Sequence, residues 1–289
     1  MTPGRKTPSW TDNIPPPAIR GLDFIRNEPK LFGRGAVDAI RSIVFLDRFP
    51  EMKGGTKYLF KGGSGEIRAF LSRDGQTLEI GAPGGIDASR VCERMFMGLD
   101  RVERIEFVNG AFHTDRAKSF CRMFMDCRSL KAVNVRGFRT GEAADFSEMF
   151  RGCESLTALT VSGFDTSKAY DFADMFSGCK NLQQLDLTNF EIHRAVRYGK
   201  YFDERCDAVW FRVPPQISGM FSGCESLTAL DLRSFDTSRV KRFDSIFENC
   251  KDLETLQLGE WFMICEGSST DRMTAGCDRL DRSVFTKKR

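Results

Sequence analysis

Ten cysteines and two histidines are the residues of this chain best equipped for nucleophilic or metal chemistry, and their spacing decides what chemistry is open to them. Five cysteines recur in register, Cys127, Cys153, Cys179, Cys224 and Cys250, which admits a metal ladder, a row of disulfides or a column of buried thiols. Strands of adjacent stacked copies lie ~4.8 Å apart, so such thiols come close. Ladder side chains point the same way, however, which is poor geometry for a bridge, and a cysteine on an inner face behaves as a small hydrophobe. Buried free thiols are the expectation, and they suit a reducing compartment. His113 occupies a turn position filled by Arg139 and Asp165 in later copies, and neither it nor His193 belongs to a nucleophile or zinc arrangement. Asp165 and Asp236 have nothing nearby in sequence to complete a coordination shell. No CxxC, Walker-type loop or dinucleotide fingerprint occurs, and the pairs Gly54-Gly55, Gly62-Gly63 and Gly84-Gly85 read as loop and hairpin residues. These patterns name no catalytic residue, no cofactor and no metal site.

What positions these residues is a repeat. Met-Phe recurs at Met95-Phe96, Met123-Phe124, Met149-Phe150, Met175-Phe176 and Met220-Phe221, with Ile246-Phe247 as a variant, at spacings of 28, 26, 26, 45 and 26 residues. Other positions keep step: Phe146 before the anchor Phe150, then Cys153, Leu156, Leu159, Val161 and Phe164 after it, with counterparts in each later copy. The unit reads F-x-x-M-F-x-x-C-x-x-L-x-x-L-x-L-x-x-F. Phe146, Met149, Phe150 and Cys153 at i, i+3, i+4 and i+7 predict one face of a short helix. Leu159 and Val161, two apart, predict a strand buried on one side. Neither element can bury its apolar side alone, so neighbouring copies must stack with their strands parallel. In the runs Phe164 to Ser167 and Phe235 to Ser238 the Phe fills a turn, and Asp, Thr or Ser is expected to cap the next helix.

The ends of the array are degenerate, as capping copies are. Cys92 stands where a Phe is expected, and Met273 to Leu280 is a worn copy that stops before its strand. Residues 1–17 are Pro-rich and polar and read as a flexible tail without an apolar signal region. Residues 18–91 are expected to form an α/β capping module, in which 67–71 and 77–80 flank an Asp74-Gly75 hairpin turn. Residues 92–289 hold the repeats. A net charge of +3 from 43 basic and 40 acidic residues makes no electrostatic case for nucleic acid. No run approaches the ~18 apolar residues of a membrane span.

On each strand the residues between the inward leucines face out, and in a stacked array that strip is the usual recognition surface. It nominates Thr160, Asp186, Thr188, Asp231, Arg233 and Gln257. The 45-residue interval adds an insertion near 191–216 holding Arg197, Tyr198, Tyr201 and Trp210, residue types enriched in interface hot spots. Either it loops out as a binding element, or it contains a divergent repeat whose aromatics are core.

The segments MFRGCESLTALTVSGFDTS at 149–167 and MFSGCESLTALDLRSFDTS at 220–238 make the chain resemble the BspA-like leucine-rich repeat family of bacterial surface proteins over roughly 92–262. Repeat and resemblance together predict an α/β fold, a right-handed leucine-rich solenoid with a parallel sheet, short helices and an amino-terminal cap. The resemblance implies non-catalytic binding of host, matrix or other bacterial proteins, by a monomer, at the cell surface or after secretion. The sequence shows no export signal, which makes a cytoplasmic or phage-encoded scaffold the alternative. An enzyme built on the repeat is the third and weakest reading.

Overall fold

The structure, a computed structural model, describes residues 18–19, 36–51, 54–62, 65–88, 92–108, 110–192, 197–202 and 208–286. The expected tail at 1–17 lies outside them. The first body is a six-stranded sheet. Strand β2 (Ser42–Leu46) sits at its centre, parallel to β5 (Thr77–Gly81) on one side and to β7 (Arg104–Phe107) on the other. Beyond β5 come β4 (Gly65–Ser72) and β3 (Gly55–Gly62), both antiparallel, and beyond β7 comes β9 (Ala132–Val133). The Asp74-Gly75 hairpin is present, with Leu71 opposite Leu78 and Gly75 at φ 71°. Because β7 and β9 are the strands of the first two repeats, this sheet crosses residue 91. Ile43, Phe45, Leu78 and Ile80 are buried in one continuous apolar core with the repeat residues. A smaller parallel sheet joins β1 (Ala18–Ile19), β6 (Ile86–Ala88) and β8 (Phe112–His113).

Later strands pair two by two. β10 (Ala158–Thr160) lies parallel to β11 (Gln184–Asp186), and β14 (Ala229–Leu232) to β15 (Thr255–Leu258). The core positions are those the repeat predicts. Phe146, Met149, Phe150, Cys153, Leu156 and Val161 are buried, as are their counterparts in neighbouring copies. The rings of Phe96, Phe124, Phe150, Phe176, Phe221 and Phe247 form one column, with successive centroids 5.3 to 6.0 Å apart and interplanar angles of 5° to 14°.

The expected α/β class with short helices, and with it the leucine-rich solenoid, is not what the chain forms. Among the described residues the only α-helix is the four-residue α1 (Ala36–Ala39), a 3-10 turn spans Arg282–Phe285, and the rest is small sheets, turns and coil. The apolar i, i+3, i+4, i+7 pattern is met instead by consecutive tight turns. In the third copy Met149, Arg151 and Cys153 donate their N–H groups locally, to the carbonyls of Phe146, Glu148 and Phe150 at 3.1 to 3.2 Å. The alternate N–H groups, of Phe146, Glu148, Phe150 and Gly152, donate to Asp171, Ala173, Met175 and Ser177 of the next copy at 2.8 to 2.9 Å. An α-helix returns every N–H to its own fourth-previous carbonyl and could make none of these lateral bonds. The division requires a left-handed residue every fourth position, seen at Glu148 (φ 55°) and Gly152 (φ 71°) and again at Asp174 and Gly178. Positive φ at that interval rules out a continuous helix.

With no helix to follow, the Phe-Asp-Thr-Ser runs do not cap one. Asp165 Oδ1 accepts the Ser167 N–H at 3.0 Å, a local turn. The threonine is buried and ties copies together: Thr166 Oγ1 donates to the Glu191 carbonyl at 2.6 Å and accepts the Glu191 N–H at 3.1 Å. Thr114 does the same with Arg139, and Thr237 with Met263.

One substitution separates turns from helix, and two more test the core and the outer face. Ser245 holds φ 56° where the preceding copy has Gly219. Ser245→Gly should leave the melting temperature unchanged or raise it, since an L-residue in the left-handed region costs roughly 1 kcal/mol; a helix interior would lose up to about 1 kcal/mol to the glycine. Phe150→Ala, emptying the middle of the ring column, should cost about 3 kcal/mol or more. Thr160→Ala on the outer face should be nearly silent in the same thermal melts.

Candidate binding surfaces

The nominated strip exists on the outer side of the strands, in two tracts. In the first, Thr160 pairs in register with Asp186; in the second, Asp231 pairs with Gln257. Thr188, Asp231, Arg233 and Gln257 are exposed, and Thr160 and Asp186 are half-buried. Asp186 is held ionised by the Thr188 backbone N–H, which donates to its Oδ1 at 3.0 Å, with a smaller contribution from the charge of Arg136. Asp231 and Arg233 grip each other: Nε and Nη2 lie 2.9 and 2.6 Å from the two carboxylate oxygens, lowering the pKa of the acid and raising that of the base. The structure does not bring the two tracts into one ladder, because β11 and β14 belong to different sheets.

The insertion is an antiparallel hairpin of β12 (Arg197–Phe202) and β13 (Ala208–Val213), whose register sets Arg197 opposite Val213, Tyr198 opposite Arg212, Tyr201 opposite Val209 and Trp210 opposite Lys200. Its strands form a sheet of their own. The stack meanwhile passes directly from one copy to the next: Asp171 bridges Gln216, and Phe172 and Phe176 donate to the carbonyls of Gln216 and Met220 at 2.9 Å. The hairpin is therefore extra to the array and not a divergent copy within it.

The in-register cysteines are buried, free thiols. Each points at the copy before it. Cys127, Cys153, Cys179, Cys224 and Cys250 donate to the carbonyls of Phe96, Phe124, Phe150, Phe176 and Phe221 at 3.1 to 3.3 Å. Burial pushes Cys179 up to about 12 and Cys153 and Cys224 well above the ordinary thiol range, so none is a nucleophile near neutrality. His113 is half-buried, with Nε2 2.8 Å from the Gly84 carbonyl, a link between the amino-terminal body and the first repeat. His193 lies outside the described residues.

One group could hold a metal. Glu93, Cys121 and Asp145, from three successive copies, bring their ligating atoms within 4.8 Å of one another. Ser147 Oγ lies 2.7 Å from Asp145 Oδ1 and 3.3 Å from Cys121 Sγ. Burial, aided by the charges of Asp145 and Glu93, raises the Cys121 pKa and keeps that thiol protonated. A further acidic position, Asp171, is raised to about 6 by burial, with Asp145, Glu148 and Asp174 adding to the shift. Among the described residues no buried side-chain nitrogen or oxygen lacks a partner.

Sequence reasoning missed a concavity between the first two repeats. A cavity of about 530 Å³ is lined by Phe107, Phe112 and Phe138 together with Arg136 and Arg139. A second, of about 490 Å³, adjoins it along the outer side of β7 and β9, sharing Phe107, Val108 and Asn134. The available signal was the irregular 28-residue first interval, which departs from the later 26.

The family model described as "Mycoplasma protein of unknown function, DUF285" matches residues 92–208 and 214–285. No curated protein and no solved structure matches the chain.

The thiol column makes stability depend on alkaline pH with a definite sign. A thiol whose folded pKa is raised keeps its proton while the unfolded chain loses its own. That contribution is complete below the unfolded value near 9 and is lost as pH rises toward 12 for Cys179. Denaturant titrations from pH 8 to 11 should fall less steeply for Cys179→Ala than for the unsubstituted chain, by up to about 1.4 kcal/mol per pH unit. Parallel slopes would show that this thiol is not buried. A water-soluble thiol reagent should label the half-buried Cys121 and Cys265 before Cys153, Cys179 and Cys224, and label all of them after denaturation.

Proposed function

The chain belongs to the DUF285 family, described as Mycoplasma protein of unknown function, and from that membership together with the outer surfaces of its repeats we propose that it is a non-catalytic protein-binding module. The observation that supports this reading most is how each copy divides its residues. The inner positions are committed to the ring, thiol and threonine columns, while the outward side chains of the strand strip take no part in those columns and the hairpin strands form a sheet of their own. A surface free of that duty can change its side chains without cost to the fold, which is what partner recognition requires. On this reading Thr160, Asp186, Thr188, Asp231, Arg233 and Gln257 on the strip, with Arg197, Tyr198, Tyr201 and Trp210 in the hairpin, contact a host, matrix or other bacterial protein. The chain acts as a monomer, without a cofactor, nucleic acid or membrane insertion. The likeness to BspA-like repeats supports adhesion at the cell surface or after secretion as the setting.

A second reading, an intracellular scaffold using the same repeat, is favoured by the protonated thiol column, which a reducing compartment preserves. Fractionating source cells separates the two: recovery in the surface or medium fraction supports adhesion, and recovery in the cytosol supports the scaffold.

The binding proposal is tested by capturing partners from immobilised matrix proteins and from source-cell extracts, then measuring each capture again with two variants. Asp186→Lys with Asp231→Lys, and Tyr198→Ser with Tyr201→Ser and Trp210→Ser, should each weaken the partner by ~1–3 kcal/mol while the protein stays folded. Undiminished binding by both folded variants would remove the strip and hairpin as the interface.

A further inference from the structure

The cavity between the first two repeats brings half-buried aromatic surface together with an arginine that has no close ion-pair partner among the described residues, its charge reaching Asp186 only as the smallest contribution to that carboxylate's lowered pKa. Phe107 is half-buried while its neighbours Phe112 and Phe138 are buried, with ring centroids 5.1 and 5.0 Å from its own. A ligand entering there meets the side of a fixed aromatic cluster that is already desolvated beneath, which favours an apolar or aromatic group. Three cations stand around the two adjoining cavities. Arg139 Nε lies 3.4 Å from Asp115 Oδ1, and Arg104 Nη2 lies 2.9 Å from Glu106 Oε2, so each of these charges is answered locally. Arg136 is exposed and makes no ion pair with a described residue. Its local contact is through its backbone, whose N–H donates to Asn134 Oδ1 at 3.1 Å and holds the turn that carries it.

We propose that this groove binds an extended peptide segment in which an apolar or aromatic side chain, seated against Phe107, stands beside a carboxylate that pairs with the Arg136 guanidinium. The proposal rests on the protein-binding reading above and narrows it to one groove and one ligand chemistry. A planar guanidinium can take a carboxylate through two parallel hydrogen bonds, and doing so over a partly apolar floor makes the pair stronger than on an open surface. The size fits: about 530 Å³ is within the range of formed ligand pockets, large enough for a few side chains. The second cavity continues along β7 and β9, which gives the groove the length of an extended segment and not of a single small acid. A basic segment is disfavoured, since Arg136 would oppose it while Asp115 and Glu106 are already engaged.

The probes are three synthetic octapeptide libraries, acetylated and amidated at their ends, with random flanks and a fixed central Phe-Glu, Phe-Gln or Phe-Lys. Each is titrated against the full chain by fluorescence polarisation at low and high salt. The expected order is Phe-Glu tightest, Phe-Gln weaker and Phe-Lys weakest, with about tenfold between the first and the last and a smaller gap at high salt. Arg136→Glu should invert that order, Arg136→Lys should keep it with a reduced gap, and Phe107→Ala should weaken all three libraries together. Thermal melts establish that each variant is folded, and Lys241→Ala, at an exposed residue of a late copy outside both the groove and the strip, should change nothing. Absence of binding by any library to the unsubstituted chain, or an order that survives Arg136→Glu, overturns the groove. If the strip and hairpin variants still lose a captured partner in that case, the binding reading stands without it; if they do not, both fall.

Discussion

The lateral hydrogen bond from every second backbone N–H of one turn run to a carbonyl of the next is the constraint on which this fold depends. It leaves each copy unable to satisfy its own backbone, so a single repeat cannot stand alone. It also fixes the chain's conformation in detail. Directing alternate amides sideways requires consecutive tight turns, and those turns require a left-handed residue at each fourth position, filled by Gly152, Gly178 and Gly223 in one column and by Glu148, Asp174 and Ser245 in another. The side chains follow from the same geometry. Copies held in backbone register place like residues on one another, so phenylalanines stack face to face, each cysteine meets the carbonyl of a preceding phenylalanine, and each buried threonine meets the backbone of the following turn.

Surface charge obeys the register too. Residues one repeat apart become neighbours, and two like charges at one position would oppose each other in every layer. At several exposed positions the chain alternates them, while Asp145 and Asp171 carry like charges in adjacent copies. Glu142 lies between Lys118 and Lys168, which donate to its two carboxylate oxygens and hold it at about 2. Glu154 faces Lys180 at 3.0 Å, and Glu225 faces Lys251 at 2.5 Å. Exposed pairs of this kind contribute little stability each. Their value lies in discriminating the register, because a slip by one copy would set some of these charges against their own kind.

The repeat made much of this legible in advance. Periodicity gave the core positions, the parallel strands and the buried thiols, because all three depend only on which residues recur at which interval. It could not tell a helix from a run of turns. Phe146, Met149, Phe150 and Cys153 have helical spacing, yet a four-residue turn repeated twice puts them on the same side as a helix would. The distinguishing signal lay between them: Gly152, Gly178, Gly223 and Asn249 recur at one place in the unit, and such residues are poor in a helix interior and favourable in left-handed turns. Glu148 and Arg122 carry no such signal, since neither type favours positive φ, and there the stack overrides local preference. The strip at Thr160, Asp186 and Asp231 followed from alternation alone. The groove at Phe107 and Arg136 did not, because it lies between the first two copies, whose 28-residue interval departs from the regular pattern that alternation reads.

That difference bears on where specificity can arise. An array of equal copies presents the same face at each layer, so a partner could engage it in several registers with similar affinity. Two features break the equivalence here. The hairpin after Ile192 enters at one layer and leaves the bonds on either side of it intact. The groove exists only at the first two copies, where the sheet is shared with the amino-terminal body. A partner spanning both would be held at a single offset, with the repeats between them acting as a ruler whose divisions are set by the stacking bonds. The array thus supplies spacing and the irregular elements supply identity, which explains why departures from the repeat, more than the repeat itself, mark where recognition is to be sought.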